Sequence, residues 1–452
     1  MRARALAKLP GKIGLGDIRL TSVITETGVL ETKLGNILAK GGVNVVDTAA
    51  VYDFGQAENA VGNALKSFRA EDFFLISKFG YHTSTGDNTG DPLHSCESDF
   101  MQESLETSMK RLGRLSIDAY LLHEPEAQLI EAFPLPSVVE NSDDSGQVTP
   151  PCEPEERDAF LRDKLTKTVQ DLEEQVSLGR ISSYGISSNT VGLPASHPHH
   201  VSLDLIASLA ASAAKERGLD RHSMNILQLP FNVIDTKGLQ VAKKAEQTYG
   251  MHVMAMRPLT VVDETALWRL EGLTDTRYRE SWSKIDEVVV LDKVFEDTLS
   301  YFVAPPPENP DEPTTEELET VEAVALMTSL LRDLKSEFPK IVSEDHYELN
   351  LQGSIIPLIH GRFDGMDETT IEVLQTFFDA YGTAVRAVAP YHARKYIESV
   401  LDPFDVGDDG IQRVHQVPDG VKLEEYALQW MMKKDSPIGT IMLDVNSMGN
   451  LE

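Results

Sequence analysis

Cysteine is scarce, with two in 452 residues. Cys96 and Cys152 stand far apart in irregular stretches, so no disulfide framework is expected and a reducing compartment fits, the cytoplasm by default. Positive charge is also short: 41 Lys and Arg against 72 Asp and Glu leave a net charge of −31. Nucleic acid and anionic membrane surfaces both demand basic patches, so neither is an expected partner. No apolar run approaches the ~20 residues of a membrane span. The basic opening MRARALAKLP is short and runs straight into strand-like KIGLG (12–16), which does not favour a targeting peptide. GLG at 14–16 falls short of the three spaced glycines of a dinucleotide-binding turn. His94 and Cys96 lack companions at ligand spacing, and HPHH (197–200), beside proline at a helix start, reads as exposed. The acidic clusters lack the pattern of a calcium loop. No metal is expected.

What is present is an alternation. Short apolar runs near 12–20, 43–47, 73–77, 117–122, 181–185, 225–229, 252–256 and 438–442 read as strands. Amphipathic stretches near 29–40, 56–68, 99–112, 155–178, 201–217, 237–249 and 422–433 read as helices. Such a βα repeat makes a parallel sheet. Eight strands is the number that closes a (β/α)8 barrel, the TIM-barrel fold, and the barrel is preferred here over an open doubly wound sheet.

Two stretches fall outside the repeat. Residues 124–154 carry several prolines and a polar run, and read as a long loop on the catalytic face. Residues 261–419 form an insertion between strand seven and the last helix, leaving the barrel as 1–260 plus 420–452. The insertion includes a Pro-rich acidic link, APPPENPDEP (304–313). Thr314 with Glu317 then gives a capping-box start to a helix, with Leu318, Val321, Ala325, Leu331, Leu334 and Phe338 at roughly helical spacing. A further helix is expected over 367–389, ending before Pro390. Leaving from the C-terminal end of a strand, the insertion is expected over or beside the barrel mouth, where it offers a surface for a protein partner.

Chemistry-bearing residues gather at strand ends. DTAAVYDFGQAEN (47–59) sets Asp47 and Tyr52 five residues apart. FFLISK (73–78) ends in Lys78 and IDAYLLH (117–123) in His123. In a parallel barrel these ends share one face, where active sites are built. Singly, each has a bland reading: Asp47 as a cap, Tyr52 as loop packing, Lys78 as a solvated strand end, His123 as a structural histidine. Jointly they make a proton-transfer site. A phenol is a poor acid, with a free pKa of about 10, and a neighbouring ammonium lowers it.

In these contexts the chain resembles the aldo-keto reductase superfamily, whose Asp/Tyr/Lys/His tetrad they match. Supporting stretches are GGVNVVDTA (41–49), AENAVGNAL (57–65), LGR-ISSYGISSN (178–189), ILQLPFN (226–232) and MAMRPL (254–259). The resemblance covers roughly 11–260 and 420–444. It implies a (β/α)8 barrel that reduces an aldehyde, ketone or sugar carbonyl with a nicotinamide cofactor, NADP by default and NAD as the other option. Tyr52 is the implied acid/base, Lys78 its activator, Asp47 the support of Lys78 and His123 the residue that orients substrate.

On the cofactor side the resemblance implies Ser187, Ser188, Asn189 and Gln228 at the nicotinamide carboxamide. Asp47 is grouped with them. Met256 stands where the family often has a stacking aromatic, and Arg257 is a candidate for the pyrophosphate. After the last strand comes DVNSMGNLE, with no Lys or Arg beyond Lys434, where the family has a basic loop for the adenosine phosphate. HEP (123–125) and RPL (257–259) also resemble the branch that oxidises sugars to lactones with NAD. The other alternative is a non-catalytic scaffold or regulatory subunit whose insertion binds a partner.

Overall fold

A computed structural model describes residues 13–15, 27–83, 93–135, 152–262, 267–270, 286–304, 314–342, 368–400, 422–433, 435–445 and five positions between 347 and 359. Parts of both irregular stretches, including 136–151, 305–313 and 401–421, lie outside the described residues.

Eight parallel strands close into a barrel: β1 (Ile13–Leu15), β2 (Val45–Asp47), β3 (Phe74–Phe79), β4 (Ile117–His123), β5 (Ile181–Ser187), β6 (Met224–Pro230), β7 (His252–Met256) and β10 (Thr440–Leu443). Neighbours in sequence are neighbours in space. The ring is completed by β10, which pairs with β7 on one side and with β1 on the other. Strands covered on both faces read as continuous apolar runs, and all six residues of β3 are buried. Inside the ring Val45, Phe74, Ile76, Ala119, Leu121, Ile226, Met254 and Met442 form one cluster, drawn from six strands. This is the layered packing that makes such a barrel a core and not a pore.

The helices between strands are α1 (Thr27–Lys40), α2 (Gln56–Leu65), α3 (Ser98–Leu112), α4 (Glu126–Ala132), α5 (Pro154–Ser177), α6 (Leu203–Glu216) and α7 (Leu239–Tyr249). Their ends follow local chemistry. The Ser202 hydroxyl caps α6 by accepting from Leu205 N, and Pro154 opens α5 where its missing N–H has no cost. Helix α4 corrects the reading of 124–154 as a loop throughout. It is a short turn of helix whose Glu126, Gln128 and Leu129 are buried, a pattern too brief to show as periodicity.

The chain divides into two compact units, Met1–Pro258 with Ala427–Glu452, and Leu259–Tyr426. The second contains an antiparallel hairpin, β8 (Thr260–Val262) with β9 (Leu267–Arg269), and helices α8 (Asp286–Tyr301), α9 (Thr315–Glu337) and α10 (Glu368–Val400). The chain returns to the barrel through α11 (Leu423–Met431). Thr314 and Glu317 form the reciprocal cap of α9. Helix α10 does not stop before Pro390 as expected but runs through it to Val400. Proline inside a helix costs about 3 kcal/mol. Burial of Ala384, Val385, Val388, Ala389 and Ala393 on both sides of Pro390 offsets that cost. Among the described residues no helix is long and apolar enough to cross a membrane.

Where β5 meets β6 the register shifts between Tyr184 and Gly185, and a Cβ on Gly185 would lie 2.0 Å from the Ile226 carbonyl oxygen. Backbone cannot yield as a flexible side chain can. Gly185→Ala is expected to destabilise the barrel by about 1–3 kcal/mol, the usual cost of overpacking, as a lowered urea midpoint followed by circular dichroism.

Candidate active site

Parallel strands put their C-terminal ends on one rim, and Asp47, Lys78, His123, Ser187, Gln228 and Met256 all sit there. Lys78 and Asp47 are each 2 % exposed, with Lys78 Nζ 2.7 Å from Asp47 Oδ2 and 3.1 Å from the Thr48 carbonyl. Lys78 is therefore not a solvated strand end, and Asp47 is its partner. The same ammonium lies 5.1 Å from the centre of the Tyr52 ring. The His123 ring stands edge-on to Tyr52, with centroids 5.8 Å apart. The structure thus gathers all four residues singled out from the sequence.

Tyr52 opens a single helical turn, Tyr52–Gly55, in which Asp53 and Phe54 both have left-handed backbone angles, φ 52° and 53°. Each costs a non-glycine residue roughly 1–2 kcal/mol. Strain of this kind persists where its surroundings enforce it, often at functional sites. Here the enforcement is visible. Gly55, also left-handed at φ 86°, lies so close to the Arg111 guanidinium that a Cβ would sit 2.2 Å from Cζ. Arg111 pairs with buried Glu58 at 3.2 Å, and Glu58 accepts from the Ser77 hydroxyl at 2.7 Å. Ser77 precedes Lys78, so the turn carrying Tyr52 and the strand carrying Lys78 are braced by the same carboxylate.

His123 is fixed from behind. Burial lowers the pKa of His94. Held neutral, His94 donates from Nε2 to the His123 carbonyl (2.8 Å) while its Nδ1 accepts from the Gln128 amide (3.2 Å). A second phenol, Tyr81, stands edge-on to His123 with centroids 5.5 Å apart. Its hydroxyl donates to the Glu124 carboxylate, and burial together with that carboxylate raises its pKa. Two tyrosines therefore flank one imidazole: Tyr52 beside an ammonium, Tyr81 beside a carboxylate.

Beyond Tyr81 a polar array crosses the rim. Glu124 accepts from Asn189 Nδ2 at 2.8 Å, and Arg257 donates to Asn189 Oδ1. Glu124 and Arg257 both adopt left-handed backbone, φ 49° and 53°. The structure thus sets Asn189 and Arg257 against each other. Ser188 is spent on its own turn, accepting from Thr190 N and Val191 N. Ser187 points its hydroxyl at the Met256 sulfur, 3.9 Å away. Gln228, paired across the ladder with Ser187, is 2 % exposed. It fits a cofactor carboxamide, and Ser187 stands beside it.

Tyr81, His94, Glu124 and Glu126 were not singled out from the sequence as site residues. Tyr81 follows Lys78 by three residues and Glu124 directly follows His123, so distance from a strand end was the available signal. His199 corrects another reading: it is buried, with Nε2 2.8 Å from the Phe133 carbonyl, and is not an exposed histidine.

The aldo/keto reductase family model matches residues 12–260. That is more than half of the chain, and the protein belongs to this family. The Schizosaccharomyces pombe aldo-keto reductase yakc, named with NADP(+), is 36% identical over 78 residues, 17% of this chain and 22% of that protein. The Bacillus subtilis uncharacterized oxidoreductase YqkF is 26% identical over 185 residues, 39% of this chain and 48% of that protein. The chain therefore spans less than half the length of these curated relatives. Among solved structures, an aldo/keto reductase from Klebsiella pneumoniae in complex with NADP and acetate is 21% identical. The match covers 55% of this chain and 64% of that one, with a TM-score of 0.34.

Two outcomes follow from the buried carboxylates. Asp47→Ala leaves the Lys78 ammonium buried and uncompensated. It is expected to cost about 3–5 kcal/mol, and Asp47→Ala with Lys78→Met should recover part of that loss in denaturant melts. Glu126 is buried, accepts from Asn189 N, and has its pKa raised to about 7, chiefly by desolvation. Between about pH 4.5 and 7 the folded state then holds a proton that the unfolded state has lost, so this group's contribution to stability falls as pH rises. Glu126→Gln is expected to match wild type near pH 4 and to gain on the order of 3 kcal/mol over it by pH 8, read from urea unfolding at each pH.

Proposed function

We propose that the chain is a nicotinamide-dependent oxidoreductase that reduces the carbonyl of an aldehyde, ketone or sugar. The observation that carries the reading is the buried Lys78–Asp47 ion pair set against the Tyr52 ring, with His123 edge-on to the same ring. No side chain supplies hydride; a bound nicotinamide does. The protein's residues manage the proton.

As negative charge develops on the carbonyl oxygen, the Tyr52 hydroxyl donates its proton to that oxygen. The Lys78 ammonium stabilises the charge left on the phenol, in a buried setting where such an interaction is stronger than in water. Asp47 keeps Lys78 ionised and aimed. His123 orients the carbonyl. Run backwards, the same groups oxidise an alcohol, with Tyr52 as base. Gln228 and Ser187 are assigned to the carboxamide and Met256 to packing beside the ring. NADP is the assigned cofactor, the one named for the S. pombe relative. The cytoplasm is the assigned compartment, in keeping with two free cysteines.

The test combines binding and turnover. Titration with NADPH and with NADH, followed by nicotinamide fluorescence, is expected to show saturable binding. Reduction of an aldehyde probe such as 4-nitrobenzaldehyde should fall by roughly 10²–10⁴ in Tyr52→Phe, the usual worth of a general acid, with cofactor affinity preserved. Unchanged turnover in Tyr52→Phe would remove the assignment, and absence of cofactor binding would remove the enzyme.

A further inference from the structure

We propose that a cavity within the helical unit is a binding site for a small arylalkyl ammonium, a molecule with one aromatic ring and one amine. The cavity has a volume of about 190 Å³. An apolar cavity of ~150 Å³ is enough to hold benzene, so a single ring fits here. Its walls come from α8, α9, the turn after α9, and α10: Leu291, Phe295, Phe338, Phe377 and Tyr381. Phe377 and Tyr381 are essentially fully buried. The Tyr381 hydroxyl is turned onto the Leu334 carbonyl at 2.7 Å, which leaves only its ring to face a ligand. Walls that are mostly aromatic and aliphatic select an apolar body, and the charged groups lining the cavity are Asp292 and Lys335.

The rim selects the charge. Lys335 Nζ stands 4.2 Å from the Phe295 ring centroid, 3.3 Å from Asp292 Oδ1 and 3.8 Å from Glu296 Oε1. The protein thus already holds an ammonium over an aromatic face between two carboxylates, the arrangement that recognises organic cations. These three groups sum to one negative charge, and the whole chain carries −31. A ligand anion meets net repulsion at this rim, whereas a ligand amine shares or takes over the place of Lys335.

The site stands on residues of the helical unit alone and does not depend on the reading of the barrel. The test is calorimetric titration of the full chain with phenethylamine and, separately, with phenylacetate, which has the same ring and the opposite charge. Phenethylamine should bind with unit stoichiometry, and phenylacetate at least about fivefold more weakly, the scale of one partly screened charge contact. Leu291→Trp, or Val288→Phe at the mouth if the first variant fails to fold by circular dichroism, should abolish binding by filling the space. Asp292→Asn should weaken phenethylamine about threefold, and Lys335→Met should tighten it by a similar factor because two carboxylates lose their partner. Tyr52→Phe should leave it unchanged. A preference for phenylacetate, weaker amine binding in Lys335→Met, binding that survives a folded cavity-filling variant, or no binding at all would overturn the proposal.

Discussion

One buried ion pair organises the rim that carries the candidate site. Lys78 and Asp47 are removed from water, and separating them would strand a charge in the barrel interior. Their strands are neighbours in the ring, β2 beside β3, so the pairing is a product of the parallel register, which sets Asp47 against Ile76, two residues before Lys78. Tyr52 follows β2 through a turn that is strained and braced, and its ring comes to rest beside the ammonium. The stability of the fold and the chemistry of the site thus draw on the same contact.

The second organising feature is electrostatic contrast around His123. Tyr52 and Tyr81 approach it at nearly equal distance and both edge-on. They differ in the charge that each one faces. A carboxylate accepts the Tyr81 proton in a hydrogen bond, whereas an ammonium lies beside the Tyr52 ring. Identical side chains thus sit in opposite electrostatic surroundings, and the proposed reaction gives the proton-donor role to the phenol beside the ammonium.

Much of the barrel was legible in the chain because its strands are covered on both faces. FFLISK, IDAYLLH and ILQLPFN read as short apolar runs, and the charged or polar residue at or near the end of each, Lys78, His123 and Gln228, marks the rim. Asp47, Tyr52, Lys78 and His123 were legible for the same reason: each stands at or just past such a run. Glu126 and Tyr81 were not, since nothing local distinguishes a carboxylate that will be desolvated from one that will be solvated. Pro390 misled because its local meaning, the end of a helix, was overridden by burial on both sides. The hairpin at 260–269 and helix α8 were also missed, the first because three-residue strands leave too few positions for an alternation to register.

The order in which the ring is made has a consequence for its birth on the ribosome. Ile13 pairs with Ile441, so the first strand must wait for more than 400 further residues to emerge before its second neighbour exists. Until then seven strands can form only an open sheet, with β1 and β7 as raw edges while residues 259–426 are being synthesised. Open edges invite pairing with other chains. The short reach of β10, four residues, makes closure of the ring a late and local event, a zip fastened only after the intervening unit has been made.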